Sequence, residues 1–113
     1  MVKIEAIIRP QKLEAVQLVL EEIGCHGLTV TEVRGMGRQR GASHTYRGSQ
    51  YTLNLNHKVK IEVVVPEELA NLAIDAICEA AATGEVGDGK IFVSSLTDAV
   101  RIRTGEHGKP ALD

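Results

Sequence analysis

In this 113-residue chain the stretches 34–41, 84–90 and 101–105 combine glycine with lysine or arginine in ways suited to holding anions. In GEVGDGK (84–90), Gly87, Asp88 and Gly89 form a turn whose backbone N–H groups can face an anion, with Lys90 adjacent. RGMGRQRG supplies Gly35 and Gly37, where backbone can approach a ligand closely, and then Arg38. RIRTG adds Arg101 and Arg103, which share a face if that segment is extended. The chemistry offered is recognition of an anion. Each stretch on its own also reads as ordinary turn glycine and solvated surface charge.

GEVGDGK satisfies the G-x-x-x-x-G-K spacing of a P-loop but not its mechanics. Those need a strand before, a helix after, and Ser or Thr following the lysine. Here a helix precedes, Ile91 follows and the next element is a strand. A net charge of −2 provides no basic footprint for nucleic acid. No apolar run approaches the roughly 18 residues of a membrane span, and nothing resembles a signal peptide. Cys25 and Cys78 stand in no metal or redox spacing and are expected as free, buried thiols in a reducing cytosol. The histidines are equally scattered.

The elements that must position these groups are legible from periodicity. VKIEAIIR alternates Val2, Ile4, Ala6 and Ile8 against Lys3, Glu5 and Arg9, the period of a half-buried strand, with Ile7 the exception. Pro10 suits a first helical turn. Leu13, Val16, Leu20 and Ile23 then share one helix face ending at Gly24. LTVTEVRG (28–35) is a second strand. KVKIEVVVP places Val59, Ile61, Val63 and Val65 on one face and ends at Pro66. A second helix opens with Glu67 and Glu68, where negative charge suits the dipole. Its buried side is expected to be Leu69, Leu72, Ala73, Ala76, Ile77 and Ala80, and Gly84 ends it. KIFVSSL is the last strand. The order βαββαβ folds as a four-stranded antiparallel sheet with both helices on one face, the ferredoxin-like arrangement. Ile7 and Val64 fall on the uncovered face, which suggests packing against another copy. With one Phe, two Tyr and no Trp, the core must be aliphatic. The length implies one domain, 1–113.

RGASHTYRGSQYTLNLN (40–56) contains almost no large aliphatic residue, yet it lies between two strands. Connections in compact domains have a median of about 4–6 residues, and long structureless ones are usually functional or disordered.

The motifs TVTEVRGMGRQRG, YRGSQY, KVKIEVVVP, TGEVGDGKIFV and VRIRTGE follow one another at spacings that need no gaps. In this the chain resembles the PII signal-transduction family, the nitrogen regulatory proteins P-II, from residue 1 to about residue 107. The tail HGKPALD carries no family signal, and 108–113 are unassigned. The resemblance implies the fold just described, assembled as a homotrimer with the open sheet faces at its centre and nucleotide in the clefts between subunits. It places Thr29, Glu62 and Val64 near the adenine of ATP or ADP. It places Gly35, Gly37, Arg38, Gly87, Asp88, Gly89 and Lys90 around the phosphates, with Arg101 and Arg103 reaching over from the neighbouring subunit. It further implies 2-oxoglutarate bound through Gln39, Gly41, Lys58 and Gly87. Mg²⁺ would be held by the Gln39 amide oxygen together with ATP phosphates, and Lys58 would pair with the distal carboxylate.

By the same resemblance, about 38–56 is the T-loop, an effector arm that reports the bound ligand. Arg47 matches the arginine that plugs an ammonium-transporter pore. Tyr51 matches the residue nucleotidylylated in many bacteria, and Ser49 the one phosphorylated in cyanobacterial relatives. Implied partners are an ammonium transporter, enzymes of nitrogen assimilation or the arginine pathway, and a modifying nucleotidyltransferase. The implied location is the cytoplasm, with membrane association only through the transporter. The implied role is a non-catalytic regulator of nitrogen metabolism. The alternatives are a divergent PII-like trimer with another effector, against which Gln39, Lys58 and Tyr51 stand together, and a nucleotide hydrolase.

Overall fold

In the computed structural model, residues 1–36, 43–46, 49–52 and 55–112 are described. Strand β1 (Val2–Ile8) leads through a 3₁₀ turn at Pro10–Lys12 into helix α1 (Leu13–Glu22). Strands β2 (Thr29–Met36), β3 (Ser43–Tyr46), β4 (Ser49–Thr52) and β5 (Leu55–Val65) follow. Helix α2 (Glu67–Ala81), strand β6 (Lys90–Ser95) and a 3₁₀ turn at Lys109–Leu112 complete the order. Four strands form an antiparallel sheet in the order β2-β5-β1-β6. The ferredoxin-like βαββαβ topology is therefore the observed one.

Alternation decides what is buried. Val2, Ile4, Ala6 and Ile8 of β1 and Val59, Ile61, Val63 and Val65 of β5 meet Val16 and Leu20 of α1 and Ala70, Ala73, Ile77 and Ala81 of α2. Direct register partners share a face, so Ile7 opposite Lys60 and Val64 opposite Lys3 lie on the uncovered side. That side also carries an ion network, in which Lys3 reaches Glu5 at 3.0 Å and Glu62 at 3.2 Å, and Lys60 reaches Glu62 at 3.3 Å.

Four expectations shift. The buried stripe of α2 runs through Ala70, Ala73, Ile77 and Ala81, while Leu72 is exposed; alanine lets the helix lie close to the sheet, and the larger Leu69 and Ile74 flank the seam. The helix stops at Ala81, before Gly84, because the amides of Thr83 and Gly84 are taken by a carboxylate from further along the chain. β5 starts at Leu55, not at Lys58, for Leu55, Asn56 and His57 continue the ladder opposite Met36, Gly35 and Arg34. Leu55 and His57 are exposed and Asn56 is half-buried, so no apolar alternation marks this extension. Finally, the excursion after β2 has structure of its own, since β3 and β4 pair in a separate two-stranded sheet with Tyr46 opposite Ser49. Both cysteines are free; Cys25 is buried as expected, but Cys78 is exposed, contrary to the expectation, because it lies off the Ala70–Ala73–Ile77–Ala81 stripe that α2 turns to the sheet.

Candidate functional site

A cleft of about 1040 Å³ opens where the open sheet face meets the loop between α2 and β6; Ile7, Val33, Gly35, Lys58, Lys60, Phe92 and residues 85–90 line it. The loop is built from within. The Asp88 carboxylate accepts hydrogen bonds from the Thr83 amide (2.7 Å) and the Gly84 amide (2.9 Å) through one oxygen. Its other oxygen takes the Thr83 hydroxyl (2.5 Å) and Arg9 Nε (3.0 Å). Arg9 also donates through Nη2 to the Val86 carbonyl at 2.9 Å, which ties the loop to the end of β1. The Thr83 hydroxyl first, and then its amide, hold the Asp88 carboxyl well below the usual carboxylate range.

Gly87, at φ 105°, and Gly89, at φ 104°, adopt the left-handed backbone that favours glycine. At Gly89 the constraint is doubled, since a Cβ there would sit 1.7 Å from the carbonyl oxygen of Ile7. Only glycine lets the loop lie against β1.

Lys58 enters from β5 on the open face, opposite Val33. It is 7% exposed and donates through Nζ to the Gly87 carbonyl at 2.6 Å. Burial, and then the neighbouring Arg9 charge, push its pKa down. A buried ammonium beside a second cation is where an anion gains most, because both desolvation and like-charge repulsion are relieved on binding.

The cleft thus brings Gly35, Lys58, Gly87, Asp88, Gly89 and Lys90 together within one chain. Thr29 and Glu62 are register partners, with Val64 on the same face, outside this cleft. The Glu62 carboxylate is taken by Lys3 and Lys60, and its pKa is lowered chiefly by Lys3. Glu62 and Asp88 are both strongly hydrogen-bonded carboxylates with depressed pKa, poor bases for hydrolysis near neutral pH. Arg101 and Arg103 do not lie on a strand: the chain turns back at Arg101, whose carbonyl accepts from the Gly105 amide at 2.7 Å. Arg101 is bonded to the C-terminal segment, while Arg103 is exposed. Gly37, Arg38, Gln39, Gly41 and Arg47 lie outside the described residues, and Ser49 and Tyr51 fall in β4.

Arg9 and Thr83 escaped the reading of the sequence. Arg9 looked like the last outward residue of an alternating strand, and Thr83 like a helix end. Only the fold reveals that both converge on Asp88.

Residues 1–106 match the family model described as Nitrogen regulatory protein P-II. The nitrogen regulatory protein P-II of Bradyrhizobium diazoefficiens is 54% identical over 112 residues, covering 99% of this chain and 100% of that one. Nitrogen regulatory protein P-II 2 of Methanothermobacter thermautotrophicus is also 54% identical, covering 99% and 97%. Among solved structures, Arabidopsis thaliana PII bound to citrate superposes with a TM-score of 0.80 at 41% identity, over 97% of this chain and 90% of that one.

Proposed function

The chain belongs to the nitrogen regulatory protein P-II family, and from that premise we propose that it is a trimeric sensor of ATP, ADP and 2-oxoglutarate. Membership makes it a non-catalytic signal-transduction protein of nitrogen regulation.

The observation that carries the ligand reading is Lys58, a buried cation held against the glycine loop at Gly87. Nucleotide phosphates are assigned to the backbone of Gly87, Asp88 and Gly89 and to Lys90, joined by Gly35, Gly37 and Arg38 from the end of β2. Asp88 would contribute its amide, because both oxygens of its carboxylate are engaged inside the loop. Thr29, Glu62 and Val64 are assigned to the adenine, and Arg101 and Arg103 to the phosphates held by an adjacent subunit. The carboxylates of 2-oxoglutarate are assigned to Lys58 and the amides near Gln39, Gly41 and Gly87. The Arabidopsis relative carries a bound citrate, likewise a small polycarboxylate.

Mg²⁺ fits this donor set in one way. Arg34, Lys58, Lys60 and Lys90 of the cleft stand beside Glu5, Glu85 and Asp88, and no group of His, Cys, Asp and Glu among the described residues could hold a bare dication. The ion would be held by ATP phosphates, the Gln39 amide oxygen and the 2-oxo acid, all hard oxygen donors that Mg²⁺ prefers. When bound it supplies a bridge between the two ligands, which ADP, lacking the γ-phosphate, would not complete.

Support for the trimer is the uncovered sheet face, where Ile7, Val33, Val64 and the exposed Phe92 accompany the ion network. The hairpin β3–β4 lies within the segment assigned to the T-loop, about 38–56, with Gln39 at its root, Arg47 for a transporter pore, and Tyr51 or Ser49 for modification. Partners would be an ammonium transporter, enzymes of nitrogen assimilation or the arginine pathway, and a nucleotidyltransferase. No described helix is long and apolar enough to cross a membrane. A cytoplasmic place, with the membrane reached through the transporter, accords with that role.

Calorimetry with ATP, ADP and 2-oxoglutarate in all combinations tests the reading. 2-Oxoglutarate should bind only with Mg²⁺ and ATP, and Lys58→Ala should weaken it roughly ten- to hundredfold. Equal 2-oxoglutarate affinity with ADP and with ATP would sink the mechanism.

A further inference from the structure

The C-terminal segment closes on one of the arginines assigned to phosphate. Arg101 donates through Nη1 to the Glu106 carboxylate and through Nη2 to the Pro110 carbonyl, both at 2.6 Å. The backbone fixes this geometry. The Arg101 amide donates to the Glu106 carbonyl at 2.9 Å, and Val100 bridges His107. Gly108, at φ 75°, turns the chain and donates to the Ala99 carbonyl at 2.9 Å, which aims the Pro110 carbonyl at the guanidinium. Lys109 anchors the far end on Glu68 of α2 at 2.5 Å. An anionic and a neutral oxygen therefore hold both terminal nitrogens of Arg101, where the same fork would grip a phosphate.

We propose that Glu106 and the turn at Gly108–Pro110 form an intramolecular latch that competes with nucleotide phosphate for Arg101 and so sets nucleotide affinity. This rests on the assignment of Arg101 to phosphate. The latch is poised to yield, because Glu106 is about half exposed and Arg101 about a quarter exposed, so the competition is decided by modest differences. A polyphosphate offers more charge and more oxygens than one carboxylate and one carbonyl. ATP binding then frees Glu106 and the Pro110 carbonyl, and the tail responds to occupancy of the cleft.

ATP and ADP affinities would be measured by calorimetry for the full chain and its Glu106→Gln, Gly108→Pro, Arg101→Ala and Glu106→Gln/Arg101→Ala variants. Gly108→Pro removes the amide that meets Ala99 and cannot adopt a positive φ, so it displaces the Pro110 carbonyl without touching Arg101. Glu106→Gln and Gly108→Pro should each tighten nucleotide about two- to fivefold, the scale of an exposed ion pair. Arg101→Ala should weaken it and abolish the gain from Glu106→Gln in the double variant. In the unaltered protein, ATP should speed deuterium exchange at the Gly108 amide. If Arg101→Ala binds nucleotide normally, the phosphate assignment fails. If Arg101→Ala weakens binding while neither latch variant tightens it, or the gain persists without Arg101, the assignment stands and the latch is wrong.

Discussion

Between α2 and β6, residues 83–89 make almost no regular structure, yet most of the loop is tied down. Asp88 gathers Thr83 and Gly84, Arg9 grips both Asp88 and Val86, Lys58 holds Gly87, and Gly89 presses on Ile7. The excursion after β2 is the reverse. Its β3 and β4 are regular strands, but their ladder runs only between each other, in a sheet separate from the four-stranded one. An irregular loop can thus be fixed by side chains from distant elements, while a regular hairpin can keep a ladder of its own. A site that must recognise phosphate in one geometry needs the first design. A segment that must present itself to partners can use the second.

Gly89→Ala should break the first region most severely. The new Cβ would collide with the Ile7 carbonyl at a positive φ, so either the loop or β1 must move. A loss of about 2–4 kcal/mol in denaturant unfolding is expected. If the loop holds nucleotide phosphate as proposed, affinity should fall at least about a hundredfold, since displacing such a cradle by an ångström spoils its match to the ligand. Unchanged stability would mean the loop is less closely seated than the contact implies.

Arg9→Ala is the next step down. Asp88 keeps Thr83 and Gly84, but the loop loses its tether to the end of β1 at both Asp88 and Val86. Nucleotide affinity should drop roughly tenfold, with Arg9→Lys recovering only part because it cannot reproduce the two-pronged grip. Wild-type affinity would show that the Asp88–Thr83 turn is self-sufficient.

Burial on one face decides which elements are legible in the sequence. Period-two alternation exposed β1 and the second half of β5, because those residues face helices on one side and not on the other. It fails at Leu55–His57, where neither face is buried. The helical stripe of α2 is legible at Ala73 and Ile77, with Leu69 and Ala80 packed at its edge, but favouring large residues puts Leu72 where close packing selects Ala70. For the site, glycines and lysines were legible, since their types are unusual where they stand. Arg9 was not, because its value depends on a loop nearly eighty positions away. Arg101 was legible as a cation but not as a latched one, because the turn through Gly105 and Gly108 decides its partners.

Acid should loosen the first region gradually. The Asp88 carboxyl is held below its ordinary value, so its stabilisation of the loop is complete above an unfolded pKa of about 3.9. It is lost as pH falls below that value toward the folded one. Urea midpoints measured between pH 6 and pH 3 should therefore decline less for Asp88→Asn than for the unaltered chain. Glu62, Glu68 and Asp98 are depressed as well, by Lys3, Lys109 and His107, and contribute to the decline in both proteins. Parallel curves would remove Asp88 from the account.

The smallest effect on the body is expected from damage to the hairpin. Ladder bonds in an antiparallel pair alternate between residues that exchange N–H···O bonds and residues that do not. His44 and Thr45 are consecutive and stand opposite Tyr51 and Gln50, so proline at one of the two must delete a ladder bond. One of His44→Pro and Thr45→Pro should therefore raise amide exchange across 43–52, while the other is tolerated. In both, the unfolding free energy of the four-stranded sheet should stay within about 0.5 kcal/mol of the unaltered protein, as for a surface substitution. ADP affinity should also hold, because among the described residues Arg9, Thr83, Lys58 and Ile7 hold the glycine loop. A shift of the whole unfolding transition, or a matching loss of ADP binding, would show that the hairpin is coupled to the body in the absence of any partner. The two regions would then be one cooperative unit, and the contrast between them would be a matter of appearance only.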